Sequence, residues 1–236
     1  MHVDLCMQYS AERAAALLET AVDSGFSGVV WNETVDLRSS AEFQSRICFP
    51  AGANFTSRLR GKIKPALMSR QLADLGLEFK EFPLQASRLT VITDEADRLT
   101  SLSRLGKFDI LAVRPVTEKA FASAVASGPV DIIQVDLTLE RLPFSARRQL
   151  LLQAARRELY FEFCLDEVLQ SQARVRLFFR HLLPFVRFLP HKLILLTTGA
   201  ASPLSIRGPA DLQNLARLAG VKGENLVRRI LSQCHL

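Results

Sequence analysis

Arginine is the chain's most abundant means of doing chemistry. It supplies 23 of the 30 basic side chains. Its planar fork fits phosphate, and its face can stack on bases. Arg88, Arg114, Lys119, Arg141, Arg147, Arg148, Arg156, Arg157, Arg174, Arg176 and Arg207 fall at the borders of apolar runs or on the helices beside them. To hold a polyanion, such groups need a suitably curved surface rather than catalytic precision. The stretch "SPLSIRGPADLQNL" concentrates the idea. Gly208 lets the backbone approach another group closely, and Pro209 suits a first helical position. A helix start together with the Arg207 fork attracts an anion. Asp211 can satisfy the same positive end, so a well-capped turn with Arg207 tied to a nearby carboxylate is an equal reading.

Other chemistries have thinner support. Metal-assisted hydrolysis needs several histidines and carboxylates around one ion. The chain has four histidines, at 2, 181, 191 and 235, with no H-x-H. No G-x-S-x-G marks a nucleophilic serine. Cys164 ends an apolar run and reads as a structural thiol. Asp136 and Glu162 stand near strand ends and could pair as acid and base, but salt bridges to arginines of the following helices are the plainer role. No catalytic residue, metal or cofactor is expected.

The elements that must position these residues alternate. Strands are read at His2–Met7, Gly28–Asn32 and Leu89–Thr93, and in "FDILAVRP", "VDIIQVDL", "YFEFCL" and "KLILLTTG". Ser10, Asp94, Thr117 and Ser145 are placed to cap helices between them. Pro184 should kink or break "ARVRLFFRHLLPFVRFL". "PADLQNLARLAG" and "ENLVRRILSQCHL" close the chain as helices. Short apolar strands separated by helices are the parallel-sheet pattern. An α/β, TIM-barrel-like fold of about seven parallel strands is expected as a single domain over 1–236, with an irregular insertion at about 33–87. An open doubly wound sheet is the alternative. The glycine fingerprint of dinucleotide binders is absent after the first strand.

A length of 236 residues and 48% hydrophobic composition fit a folded globular chain. No apolar run approaches the roughly 18 residues of a membrane span, and no signal peptide is read. Four scattered cysteines without C-x-x-C spacing suit a reducing compartment. The net charge of +6 is uneven. Residues 1–140 carry 15 basic against 18 acidic side chains, and residues 141–236 carry 15 against 6. A basic, arginine-rich half points to a polyanionic partner.

Several stretches, in order, resemble the thirty-kilodalton protein subunit of ribonuclease P and the related ribonuclease MRP. They are "HVDL", "GFSGVVWN", "RLTVI", "FDILAVRPVTEKAF", "VDIIQVDLTLERLPF", "YFEF" and "LTTGAASPLSIRGPADLQNLARLAG". The resemblance implies a barrel related to the polymerase-and-histidinol-phosphatase group. It also implies a subunit that breaks no bond itself. Such a subunit binds the RNA that removes the 5′ leader from precursor tRNA, and in MRP serves ribosomal RNA processing. It implies a small ferredoxin-like protein partner and other subunits, no membrane, and a nuclear, nucleolar location. Carried over by position, the RNA-binding residues are Arg88, Lys119, Arg174 and Arg207, with Arg141 where members often have another basic residue. Arg176 joins them as the neighbour of Arg174 on the same helix. Glu158 stands where the family often has glycine, Trp31 replaces a smaller residue, and the basic tail of many members is missing. The competing reading is a metal-dependent phosphoesterase on the same barrel. A third is a scaffold that touches only protein.

Overall fold

A strand covered on both faces needs apolar side chains on both, and the seven short runs rich in Val, Ile, Leu and Phe meet that demand. The computed structural model describes residues 2–38, 46–47, 84–95, 108–126 and 129–222. Its strands are β1 (Val3–Gln8), β2 (Gly28–Asp36), β3 (Leu84–Thr93), β4 (Ile110–Pro115), β5 (Ile132–Gln134), β6 (Tyr160–Cys164) and β7 (Ile194–Thr197). They pair in sequence order, every neighbouring pair parallel. The helices are α1 (Ala14–Asp23), α2 (Glu118–Ala126), α3 (Arg148–Arg156), α4 (Gln172–Phe188) and α5 (Pro209–Leu218).

β7 and β1 come together without a ladder. Gln8 N donates to Ala200 O at 2.9 Å, and the buried Asp4 carboxylate accepts from Thr198 N and Thr198 Oγ1. The result is a nearly closed, TIM-barrel-like α/β fold, as the alternation of elements predicts.

Two apolar cores follow from the period of two along each strand. One joins outward-facing strand residues to the helices and contains Leu17, Trp31, Phe121, Phe161 and Phe185. The other draws on all seven strands or their first approach, with Val3, Leu5, Val30, Ala86, Ile110, Ile132, Tyr160 and Leu195 among its members. It plugs the inside of the barrel near the strand starts.

The boundaries differ from the sequence reading in instructive ways. β2 and β3 are longer than expected, because Asn32 and Arg88 are buried polar residues inside the strands rather than at their ends. β5 is shorter: Asp136 Oδ1 accepts from Thr138 N at 2.9 Å and turns the chain away. Thr117 caps α2 as expected, accepting from Ala120 N. Ser145 is not a cap, since α3 starts after Arg147. α4 runs through Pro184 without ending, its buried stripe of Phe178, Leu182 and Phe185 continuing on both sides. Most of the expected insertion, the helix after Asp94 and the helix "ENLVRRILSQCHL" lie outside the described residues.

Candidate nucleic-acid interface

Above the apolar plug the inward positions turn polar. On β3 the inward position after Ala86 is Arg88, which is fully buried. Its Nη1 and Nη2 each donate to a Glu162 oxygen of β6 at 2.5 Å. Nη1 also donates to Leu5 O, and Nε to Thr90 Oγ1. Gln134 of β5 donates to Glu162 Oε2 at 3.1 Å, and Thr90 donates to Asn32 Oδ1 of β2. Burial works against the charge on Arg88, but the attraction and hydrogen bonds of the Glu162 carboxylate outweigh it, so its pKa is raised. An ion pair taken out of water survives only with this kind of geometry and hydrogen bonding. Arg88 therefore does not meet RNA from this position. Read from sequence as a surface contact, it is an interior strut.

One layer higher, the strand ends surround a cavity of about 260 Å³ lined by Gln8, Thr34, Arg114, Asp136, Cys164 and Asp166, among others. Arg114 and Asp136 pair at 2.5 Å. Asp136 and Glu162 thus do form salt bridges, but with strand arginines and not those of the following helices: Arg114 on the neighbouring β4 for Asp136, and Arg88 across the barrel on β3 for Glu162. The donors for a metal are poorly arranged. Cys6, Glu162 and Cys164 place ligand atoms within 4.8 Å of one another, yet both Glu162 oxygens hold Arg88. His181 Nδ1 lies 3.1 Å from Leu137 O, and His191 Nδ1 accepts from Lys222 N. Among the described residues, no histidine joins the cluster.

Outside the mouth the picture changes. Helices of a parallel barrel begin where strands end, so the starts of α2, α3 and α4 form a rim. Lys119 is exposed in the first turn of α2, and Arg141, Arg147 and Arg148 are exposed before and at the start of α3. Arg176 is exposed on α4. Arg174 is half-buried and holds Gln170 Oε1 at 2.6 Å, with Glu167 at 3.9 Å. Three contacts join these ends into an arc. Ser145 N donates to Glu118 Oε2, Arg147 lies 3.8 Å from Glu118, and Arg180 Nη2 donates to Glu140 O. Arg147 remains 70% exposed, so its ion pair is of the weak, solvated kind. Arg180 was not singled out from the sequence, although its spacing of four from Arg176 puts both on one helix face.

Other basic residues do structural work. Arg157 Nη1 donates to Ala124 O and Val125 O, tying α3 to the last turn of α2. Arg207 Nη1 donates to Leu204 O and Ile206 O, both at 3.0 Å, so it clamps its own loop rather than a carboxylate. Gly208 permits a close approach, but the neighbour is internal: a Cβ there would sit 3.1 Å from Ser24 O at the end of α1. Pro209 opens α5 as expected and is buried. Asp211 occupies the first turn of that helix.

Comparison with known proteins agrees with this architecture. Residues 1–235 match the family described as RNase P subunit p30. The chain is 31% identical over 225 residues to ribonuclease P protein subunit p30 of Mus musculus, covering 92% of this chain and 76% of that protein. It is 24% identical over 139 residues to ribonuclease P/MRP protein subunit RPP1 of Saccharomyces cerevisiae, covering 58% of this chain and 47% of the yeast protein. Among solved structures, a chain of archaeal ribonuclease P with mature tRNA superposes with a TM-score of 0.59 at 18% identity, over 98% of this chain and 87% of that one. Zinc-containing histidinol phosphate phosphatase of Lactococcus lactis superposes with a TM-score of 0.51 at 12% identity, over 94% of each chain. These two likenesses are of fold. The match along nearly its whole length and the identity to the mouse protein place this chain in the RNase P subunit p30 family.

Proposed function

We propose that the chain is a non-catalytic protein subunit of ribonuclease P that binds and steadies the particle's RNA through the outer rim of its barrel. The observation that carries this reading is the division of charge. Inside the barrel Arg88 is neutralised by Glu162, and at its mouth Arg114 is neutralised by Asp136, while Lys119, Arg141, Arg147, Arg148 and Arg176 stand exposed around it. Exposed guanidinium groups on rigid helix starts can follow a phosphate backbone without reading bases. Family membership supports the assignment to the particle that removes 5′ leaders from precursor tRNA. The likeness to the yeast subunit supports a second place in ribonuclease MRP and ribosomal RNA processing. Eukaryotic relatives fit a nuclear, nucleolar site. A small ferredoxin-like subunit would be a protein partner. Arg174 and Arg207 belong to the same surface, in part by shaping its loops.

The test is charge reversal of Arg174→Glu with Arg176→Glu in the full chain. Affinity for the ribonuclease P RNA should fall at least about tenfold near 0.1 M salt, and the salt dependence should become shallower by roughly two units. The unfolding midpoint should stay within a few degrees of the parent. Equal affinity across a salt titration would count against the reading. Stoichiometric metal together with phosphodiester hydrolysis by the protein alone would favour a phosphoesterase instead.

A further inference from the structure

Two thiols from non-neighbouring strands meet inside the barrel. Cys6 on β1 and Cys164 on β6 are 158 residues apart, and their sulfurs lie 3.7 Å from one another. Cys6 is buried, whereas Cys164 is partly exposed and lines the mouth cavity. The surroundings divide the two roles. Gln134 Nε2 donates to Cys164 Sγ at 3.0 Å, which holds that sulfur in place at the cavity wall. Contact with Cys164 and then burial hold Cys6 well above the usual thiol range. The fixed charge of Arg88 acts on both sulfurs. The outer thiol is thus open to a small oxidant and the inner one is protected.

We propose that Cys6 and Cys164 are a redox pair, in which a hydroperoxide entering through the barrel mouth oxidises Cys164 and Cys6 then closes a disulfide across the barrel. The Cys164 sulfur attacks one peroxide oxygen, the O–O bond breaks, and the leaving hydroxide takes up the proton that the thiol gives up, forming water. Cys164 is then a sulfenic acid. Cys6 sulfur attacks that sulfur, the S–O bond breaks, and the hydroxyl leaves with the Cys6 proton as a second water. In total, two thiols and one hydroperoxide give one disulfide and two waters when the oxidant is hydrogen peroxide. The sulfurs must close from 3.7 Å to about 2 Å, a movement shared by two side chains.

The bond would join β1 to β6 and enclose most of the chain in one loop, which constrains the unfolded state strongly. The test treats the full chain with hydrogen peroxide, blocks remaining thiols, digests without reductant and maps the peptides by mass spectrometry. A peptide linked through Cys6 and Cys164 is expected, with an unfolding midpoint raised by roughly 5–10 °C and restored by dithiothreitol. In Cys6→Ser the midpoint shift should vanish, and Cys164 should be trapped as a sulfenic acid by dimedone. The proposal falls if both thiols survive peroxide that oxidises Cys48 or Cys234, or if Cys164 links to either of those. It also falls if the purified protein holds stoichiometric zinc that Cys6→Ser releases.

Discussion

Arg88 and Arg176 carry the same guanidinium and meet opposite fates. Arg88 is sealed in the barrel with both nitrogens on one carboxylate, while Arg176 stands in solvent at the start of α4. Inside, a charge is tolerated only because a partner was buried with it, and its energy belongs to folding. On the rim, a charge costs little to expose and gains energy only when a polyanion arrives. A basic count by itself therefore overstates the binding surface. The same residue type is a strut in one layer and a contact in the next.

The interior should respond first and most strongly. Glu162→Gln leaves Arg88 charged and half-paired in a site with no solvent exposure, so unfolding free energy should drop by about 3–5 kcal/mol. Arg88→Met with Glu162→Leu removes both charges and should recover much of that loss in denaturant titrations. RNA affinity of the molecules that remain folded should match the parent. A large affinity loss at intact stability would move Arg88 back to the interface.

Asp4 offers a second interior test through pH. Burial, only partly opposed by hydrogen bonds from Thr198 and Cys6, raises its pKa from 3.8 to about 6. Between pH 4 and 6 the folded state keeps a proton that the unfolded chain has released. The carboxyl's contribution is therefore fully present below pH 4 and lost as pH rises through 6, by about 3 kcal/mol in all. Asp4→Asn keeps an acceptor for the two backbone amides and abolishes this titration. Relative to the parent it should gain stability as pH rises from 4 to 7. A constant difference between the two across that window would refute the assignment.

The barrel was legible because alternating apolar strands and helices leave few other solutions, and Thr117 marked its helix correctly. The polar interior was not. Arg88 and Asn32 looked like strand ends because a charged or amide side chain inside a barrel is intelligible only once Glu162 and Thr90 are seen beside them. Two residues 74 apart in sequence carry no local sign of pairing. Glu158 is a smaller example. It stands out in the sequence only as a departure from the resemblance, and the structure shows why the position matters: the backbone there is left-handed, with φ at 56°. The rim arginines were identifiable as candidates by type, but Arg157 and Arg207 show that exposure and partners, not type, decide their work.

Arg147→Ala with Arg148→Ala sharpens the rim side. Both lie at the start of α3, and their loss should change stability by no more than about 0.5 kcal/mol each. The slope of RNA affinity against salt should shrink by roughly two units if both meet phosphates. An unchanged slope would shift the interface toward α4.

The finest contrast is between Arg141 and Arg207, two rim residues of the same type. Arg141 is exposed in the loop before α3, whereas Arg207 Nη1 bonds two carbonyls of its own loop. Arg141→Ala should leave the unfolding midpoint unchanged and lower the salt slope by about one unit. Arg207→Ala should instead cost about 1 kcal/mol of stability, because two carbonyls lose a charged donor. Any fall in its RNA affinity should come with a smaller change of slope, since a misplaced loop weakens contacts without deleting a phosphate partner. Arg207→Lys separates the two effects further. Lysine keeps the charge, but its ammonium ends one atom short of Nη1, the single nitrogen that meets both carbonyls, so it should restore the slope and not the stability. If lysine restored both, Arg207 would be a phosphate contact like Arg141, and the line between strut and contact would have to be drawn inside the loop.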